Sequence, residues 1–155
     1  MKNTIILLTM LLFSGIGFAQ ESNNGKQLWA KSFLNEKAPE LTVETWISKK
    51  PDTEGKFVII DFWATWCGPC RKAIPELNEI AKEFSKDVVV IGISDEPVEK
   101  IKAMKEPVIE YYYGVDTKKT MDKILEIKGI PHVIIIDPKG IVRWEGFPLL
   151  ENHKL

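Results

Sequence analysis

A seven-residue apolar run, interrupted by a single carboxylate, constrains the fold of this chain more than any other feature. Residues 57–63 read FVIIDFW, and only Asp61 is polar. Such a run predicts a strand that is buried on both faces, at the centre of a mainly parallel sheet. Apolar positions in residues 73–84 then recur at helical spacing, and residues 88–93 form the next apolar run. The order strand, helix, strand predicts an α/β fold.

Shorter elements are predicted around this unit from turn signals and from alternation of apolar and polar residues. Residues 137–140 (DPKG) form a strong β-turn signal, so we expect the sheet to end in a hairpin. The other predicted elements are a strand at 41–45, a helix from Glu96 to Pro107, an edge strand at 111–115, a helix at 118–127, and hairpin strands at 133–136 and 141–144.

The number and spacing of the cysteines indicate whether they form stabilising disulfides or carry out redox chemistry. The chain has 155 residues, of which 45% are hydrophobic and 28% are charged, so one packed core is expected. Cys67 and Cys70 are its only cysteines. An exported domain that depends on disulfides for stability usually carries several pairs. The spacing of this single pair therefore indicates chemistry.

The motif Cys-Gly-Pro-Cys follows the buried strand and opens the predicted helix. Unpaired N–H groups and the positive end of the helix dipole stabilise a thiolate at that position, so Cys67 should have a lowered pKa and act as the nucleophile. Cys70 lies one turn further along the helix, should be less exposed, and would resolve the mixed disulfide. Pro69 stiffens the turn and removes a backbone donor, which influences the redox potential.

A metal site or a bound cofactor is not expected. Zinc would need two further ligands, and His132 and His153 lack the usual finger spacing. His132 could still lie near the cysteines, so this alternative stays open. The glycines form no phosphate-binding cluster at a strand-to-helix turn, so neither nicotinamide nor flavin is predicted.

Asp61 is the second candidate catalytic residue. An ionised, unpaired carboxylate inside an apolar strand costs several kcal/mol of desolvation, so its pKa should be raised. A proton acceptor for the thiol chemistry is the functional interpretation. The alternative is that strand twist brings Asp61 to the surface or beside a lysine such as Lys56.

The amino terminus has the pattern of a secretory signal. Lys2 precedes an apolar run over residues 4–18, and the run ends at small residues, so we expect cleavage after Ala19. An uncleaved membrane anchor is the alternative. Residues 20–38 are then a polar leader, and residues 39–155 form the domain. Removal of 1–19 changes the formal charge from 21 − 22 = −1 to 20 − 22 = −2, which gives no reason to expect nucleic acid as a partner.

Residues 57–75 and the Gly-Ile-Pro at 129–131 closely resemble thioredoxins, and the amino-terminal signal resembles the TlpA/ResA-like exported branch of that superfamily. The resemblance covers residues 38–147. It implies a mixed sheet flanked by helices, with an insertion between Asp95 and Lys128. It also implies a closing helix, for which residues 147–155 are too short; the chain is then a fragment, or one sheet face is left uncovered.

The resemblance also implies roles for residues around the cysteines. Pro131 matches a cis-proline that faces the Cys-X-X-Cys loop and presents backbone to a bound substrate, and Ile130 precedes it. Trp66, Gly68 and Pro69 of the loop complete the predicted substrate-binding set. Two further residues match the family. Trp63 matches an aromatic residue that flanks the active site, with either packing or function as its role, and Pro75 matches the proline that kinks the active-site helix, a structural role only.

Three positions differ from the branch or from thioredoxins. Asp61 matches the buried acid of thioredoxins, where many exported members carry Asn. Ile91 or Gly92 falls where thioredoxins place a lysine beside that acid, so its pairing charge is missing. His132 replaces a small residue after the cis-proline, with a role at the edge of the site or as an ordinary strand residue.

The resemblance implies a soluble, monomeric, periplasmic enzyme that reduces disulfides of exported proteins. Apocytochrome c is a candidate client, and a membrane thiol transporter is the implied electron donor. The alternatives are an oxidant that donates its disulfide, and a redox-dependent binding module that does not turn over. A thiol peroxidase is disfavoured, because no second peroxide-activating motif surrounds Cys67.

Overall fold

The computed structural model describes residues 28–148. The predicted signal peptide, the cleavage point after Ala19 and the first part of the leader lie outside the described residues. The segment 149–155, on which the question of a closing helix depends, also lies outside them.

A single mixed sheet forms the centre of the described region and agrees with the predicted α/β class. The strands are β1 Thr45–Trp46, β2 Phe57–Phe62, β3 Val88–Ser94, β4 Tyr112–Val115, β5 His132–Ile136 and β6 Val142–Gly146. Their spatial order is β1-β4-β3-β2-β5-β6. The central strands β2, β3 and β4 are parallel, whereas β1, β5 and β6 each pair antiparallel with a neighbour.

Helices cover both faces of this sheet. They are α1 Gly68–Glu83, α2 Val98–Ala103 and α3 Thr120–Leu125. Successive side chains of a strand point to opposite faces. Ile59 of β2 and Trp63, which directly follows β2, therefore pack with α1 and α2, whereas Ile60 and Phe62 pack on the other side with α3.

Two strand predictions need correction. The strand predicted at 41–45 is shortened to the two residues of β1, Thr45–Trp46. Leu41 and Val43 pack against the core as irregular chain without a partner strand. The edge strand predicted at 111–115 is β4. It does not lie at the edge of the sheet, because β1 pairs with it through Thr45 and Val115. The predicted hairpin of β5 and β6 is confirmed, and Gly140 in its turn has a φ of +81°.

The helix predicted at 118–127 is shorter at both ends. Lys119 and Glu126 flank α3 in the left-handed region, with φ values of 57° and 48°. A residue in that conformation cannot continue a right-handed helix, so α3 begins at Thr120 and ends at Leu125. Asp116 caps it, because its Oδ2 accepts a hydrogen bond from the backbone N–H of Met121 at 2.7 Å.

The sheet face opposite α1 is covered within the described residues. Ile60, Ile91 and Ile134 point to the face opposite α1, and each is at most 1% exposed. Side chains of α3 and of the segment before β1 cover them, namely Met121, Leu125, Phe33, Ala38, Leu41 and Val43.

Residues 28–38 contribute to this cover through the backbone as well. The N–H of Asn35 donates to the carbonyl of Val142 at 2.8 Å, and the N–H of Ala38 donates to that of Gly140 at 2.8 Å. The Glu145 carboxylate accepts hydrogen bonds from the hydroxyl of Ser32 and from the backbone N–H of Phe33. This part of the predicted leader is therefore attached to β6.

Candidate active site

The two cysteines lie where β2 passes into α1. Cys67 is the N-cap of α1 and is joined to Cys70 by a disulfide bond. The backbone N–H of Cys70 points to Sγ of Cys67 at 3.2 Å. The first turn of the helix therefore directs a donor at the sulfur that would carry negative charge after reduction, which favours a thiolate on Cys67.

Exposure differs sharply along the loop that carries the cysteines. Trp66 is 68% exposed, and Gly68 and Pro69 are also exposed. Cys67 is 3% exposed and Cys70 is fully buried. Cys70 is the less exposed thiol, as predicted, although the difference in this oxidised form is small.

Asp61 is fully buried in β2, between Gly92 of β3 and Val133 of β5. Strand alternation places its side chain on the same sheet face as Ile59 and Trp63, which pack with Cys70 in one core cluster. Burial raises the pKa of Asp61 to about 7, so the predicted rise is confirmed. The alternative of a surface carboxylate beside Lys56 is wrong.

Tyr111 is a partner of Asp61 that the sequence did not reveal. Its hydroxyl donates to Oδ2 of Asp61 at 3.5 Å, and the side chain is 4% exposed. Gly92 leaves room for it, because a Cβ on Gly92 would lie 3.0 Å from the Tyr111 ring and 3.0 Å from Nε1 of Trp63. The neutral phenol of Tyr111 thus lies beside Asp61, which lacks the lysine partner found in thioredoxins.

Glu96 is a second residue that sequence reasoning missed as part of the site. Its carboxylate accepts hydrogen bonds from the backbone N–H of Thr65 at 2.5 Å and from the hydroxyl of Thr65 at 2.9 Å. It also pairs with Nζ of Lys100 at 2.6 Å. Burial raises the pKa of Glu96, but the hydrogen bonds from Lys100 and Thr65 outweigh burial and lower it. Glu96 thereby anchors the loop that precedes the cysteines.

A cleft of about 360 Å³ lies beside Trp66. Gly129 and Ile130 form part of its wall, and the Ile130–Pro131 peptide bond is cis, as the resemblance implies. The other lining residues are Phe62, Trp63, Ile93, Asp95, Asp116, Lys119, Asp122, Ile127 and Lys128. Lys119 and Asp95 form an ion pair at 2.6 Å within this wall.

His132 lies away from the cysteines, which corrects the suggestion that it could approach them. Its ring stacks on Phe62 at 6.0 Å between centroids, and it is fully buried. Phe62 belongs to the sheet face opposite Cys70, so strand alternation directs His132 away from the thiols. Trp63 is buried at 2% exposure and packs with Cys70, and Pro75 lies within α1.

Between residues 28 and 148, no three His, Cys, Asp or Glu side chains come together as a metal site would require. In the same range, no helix has the length and apolar character needed to cross a bilayer.

A mixed sheet with a Cys-X-X-Cys disulfide at the start of its first long helix and a cis-proline at the adjacent cleft defines a thiol-disulfide oxidoreductase of thioredoxin fold. Comparison with known proteins then gives the family. Residues 34–145 match the AhpC/TSA family, and the chain belongs to it.

Named relatives agree with this class. The chain is 26% identical over 111 residues to thiol-disulfide oxidoreductase ResA of Bacillus subtilis, covering 68% of this chain and 62% of ResA. It is 29% identical over 154 residues to thiol:disulfide interchange protein DsbE of Pseudomonas aeruginosa, covering 92% and 83%. The thioredoxin domain of a thiol-disulfide oxidoreductase from Bacteroides vulgatus superposes with a TM-score of 0.63 at 29% identity, over 72% of this chain and 86% of that domain.

Proposed function

We propose that this chain reduces disulfides of exported proteins by dithiol-disulfide exchange, with Cys67 as the nucleophile and Cys70 as the resolving thiol. The observation that carries the proposal is the placement of Cys67 at the N-cap of α1, with the N–H of Cys70 directed at its sulfur. The relatives named as thiol-disulfide oxidoreductases support the reaction class.

In the first step, the Cys67 thiolate attacks one sulfur of the substrate disulfide. A new S–S bond forms between Cys67 and the substrate, and the other substrate sulfur leaves as a thiolate. The N-terminal turn of α1 stabilises the attacking thiolate. The bound substrate is proposed to contact the backbone of Ile130 and Pro131. It is also proposed to contact the exposed residues of the active-site loop, Trp66, Gly68 and Pro69.

In the second step, Cys70 gives its proton to Asp61 and attacks Sγ of Cys67. The mixed disulfide breaks, the second substrate sulfur leaves, and the Cys67–Cys70 disulfide forms. Two electrons have then passed to the substrate, and its two thiolates take up protons. A pKa of about 7 suits Asp61 to accept and release a proton near neutral pH.

Turnover requires a dithiol donor that reduces the Cys67–Cys70 disulfide again. The signal pattern of residues 1–19 favours an exported protein in the cell envelope, so the proposed donor is a membrane protein that passes thiol electrons outward. The proposed domain comprises residues 39–155, preceded by a leader that the contacts of Asn35 and Ala38 attach to it.

A trapping experiment tests the mechanism. Reduced wild-type chain should catalyse reduction of insulin under dithiothreitol, whereas Cys67→Ser should be inactive and Cys70→Ser should accumulate a mixed disulfide with the substrate. Mass spectrometry of the trapped species should place the bond on Cys67. Accumulation of a mixed disulfide by Cys67→Ser, with the bond on Cys70, would reverse the roles, and absence of turnover by the wild type would favour a redox-dependent binding module.

A further inference from the structure

The chain before β1 crosses the loop that leads to the cis-proline. The backbone N–H of Lys31 donates to the carbonyl of Leu125 at 2.7 Å, and the N–H of Lys128 donates to the carbonyl of Trp29 at 2.7 Å. Two backbone hydrogen bonds thus fasten residues 29–31 to the segment between α3 and β5. Residues 127–130 of this same segment form part of the cleft wall.

The indole ring of Trp29 lies directly on Gly129. A Cβ on Gly129 would be 2.5 Å from Cε3 of Trp29 and 3.3 Å from its Cζ3, distances that no side chain could occupy without moving the ring. The ring also meets Phe147, which follows β6, edge to face at 5.4 Å between centroids. Trp29 therefore bridges the loop before the cis-proline and the end of the hairpin.

This contact stands beside the residues that would receive a substrate. Gly129 and Ile130 line the cleft, and the cis-peptide bond of Pro131 follows immediately. A loop that is fixed before binding saves the entropy of ordering it when a protein substrate docks. Trp29 is itself 47% exposed and is absent from the cleft lining, so its action on the cleft passes through Gly129.

We propose that Trp29 is a positioning residue for protein substrates: its ring and carbonyl hold residues 128–130 in the shape that the extended segment of a disulfide-containing protein requires. The inference rests on the proposed function, because it presupposes that this cleft binds the substrate. It assigns a role in docking to the segment before β1, distinct from the thiol chemistry of Cys67 and Cys70.

Steady-state kinetics of the full chain separate docking from chemistry. Trp29→Ala should raise the KM for insulin about fivefold and leave kcat within about twofold. Its reaction with bis(2-hydroxyethyl) disulfide, which is too small to need the cleft wall, should keep the wild-type rate. Leu34→Ala is the matched control, since Leu34 lies in the same segment and is also 47% exposed. It should keep the wild-type KM.

A double-mutant cycle tests whether the effect passes through Gly129. Gly129→Ala should raise the KM because the new methyl group displaces the ring. In the Trp29→Ala background that collision is gone, so Gly129→Ala should add less than about twofold. Non-additivity of this kind would support direct contact between the ring and the loop in solution.

The outcomes distinguish this inference from the proposed function. A wild-type chain that fails to reduce insulin contradicts the proposed function itself. Wild-type turnover with an unchanged KM for Trp29→Ala overturns the inference alone. Equal slowing towards insulin and towards the small disulfide also overturns it, because Trp29 would then act on the cysteines and not on docking.

Discussion

The hydroxyl group of Tyr111 donates a hydrogen bond to Oδ2 of Asp61, at 3.5 Å and inside the core. Burial raises the pKa of Asp61, and this hydrogen bond opposes the rise. Burial, together with the charge of Asp61, also raises the pKa of Tyr111 well above its ordinary value, so the phenol stays protonated as a donor. The ionisation of the proposed proton acceptor therefore depends on a residue fifty positions away in the chain.

Replacement of Tyr111 by phenylalanine should move the pH dependence of resolution upward. Without the hydrogen bond, the pKa of Asp61 rises further, and less carboxylate is available at neutral pH. Release of the trapped substrate should slow about threefold at pH 7 and recover at higher pH, as expected for a weak hydrogen bond to a charged group. Stopped-flow measurement of mixed-disulfide decay across pH provides the test.

Tyr113→Phe is the matched control, because Tyr113 lies in β4, two residues after Tyr111, and is partly buried. This variant should leave the pH dependence of mixed-disulfide decay unchanged. An unchanged profile in Tyr111→Phe would show that Tyr111 only packs against Asp61.

Asp61→Asn should change how stability depends on pH. The pKa of Asp61 rises from 3.8 to about 7 on folding, so the folded state holds this proton more tightly than the unfolded state. The resulting stabilisation is fully present below pH 3.8 and is lost as pH rises through 7. A shift of three pKa units corresponds to a change of about 4 kcal/mol in the free energy of unfolding.

Urea unfolding of the oxidised chain at a series of pH values checks this. Between pH 4 and pH 8 the wild type should lose a few kcal/mol that Asp61→Asn does not lose, and the variant should be the more stable protein at pH 8. Parallel curves for the two proteins would mean that Asp61 does not titrate with a raised pKa.

Glu96→Ala should loosen the loop before Cys67. The substitution removes both acceptors of Thr65 and should lower the free energy of unfolding by about 2 kcal/mol. Lys100→Ala removes only the ion pair of Glu96 with a lysine whose side chain is 57% exposed, so it should cost less than about 1 kcal/mol. Chemical denaturation of the two variants compares them directly. Equal losses would indicate that the ion pair, and not the loop anchor, is what Glu96 contributes.

Phe33→Ala should destabilise the fold, because the Phe33 ring packs against the buried sheet face. We expect a loss of about 2 kcal/mol, at the lower end for a large side chain that is only partly buried. Leu34→Ala removes the exposed neighbour and should stay within about 0.5 kcal/mol. An unchanged free energy of unfolding in Phe33→Ala would show that the segment around Phe33 is not part of the folded domain in solution.

Sequence reasoning succeeded where a signal is local. The run that became β2 and the Cys-X-X-Cys at the start of α1 are patterns of neighbouring residues, so their placement could be predicted. The burial of Asp61 followed from its apolar neighbours in the chain.

The misses involve contacts between distant parts of the chain. Tyr111 and Asp61 meet only because β4 and β2 both flank β3, and no local pattern reports that adjacency. The cover of the second sheet face was missed for a related reason, since Phe33 belongs to a polar segment with no periodicity. The short α3 depends on left-handed backbone at Lys119, a non-glycine residue that rarely adopts it.

The reduction potential of the Cys67–Cys70 couple tests the proposed direction of electron flow most directly. The chain is equilibrated with glutathione or dithiothreitol redox buffers, and the fraction oxidised is read by thiol alkylation and mass spectrometry. A protein-disulfide reductase should give a value near about −250 mV or lower. A value near about −120 mV would contradict it and identify an oxidant that donates its disulfide to other proteins.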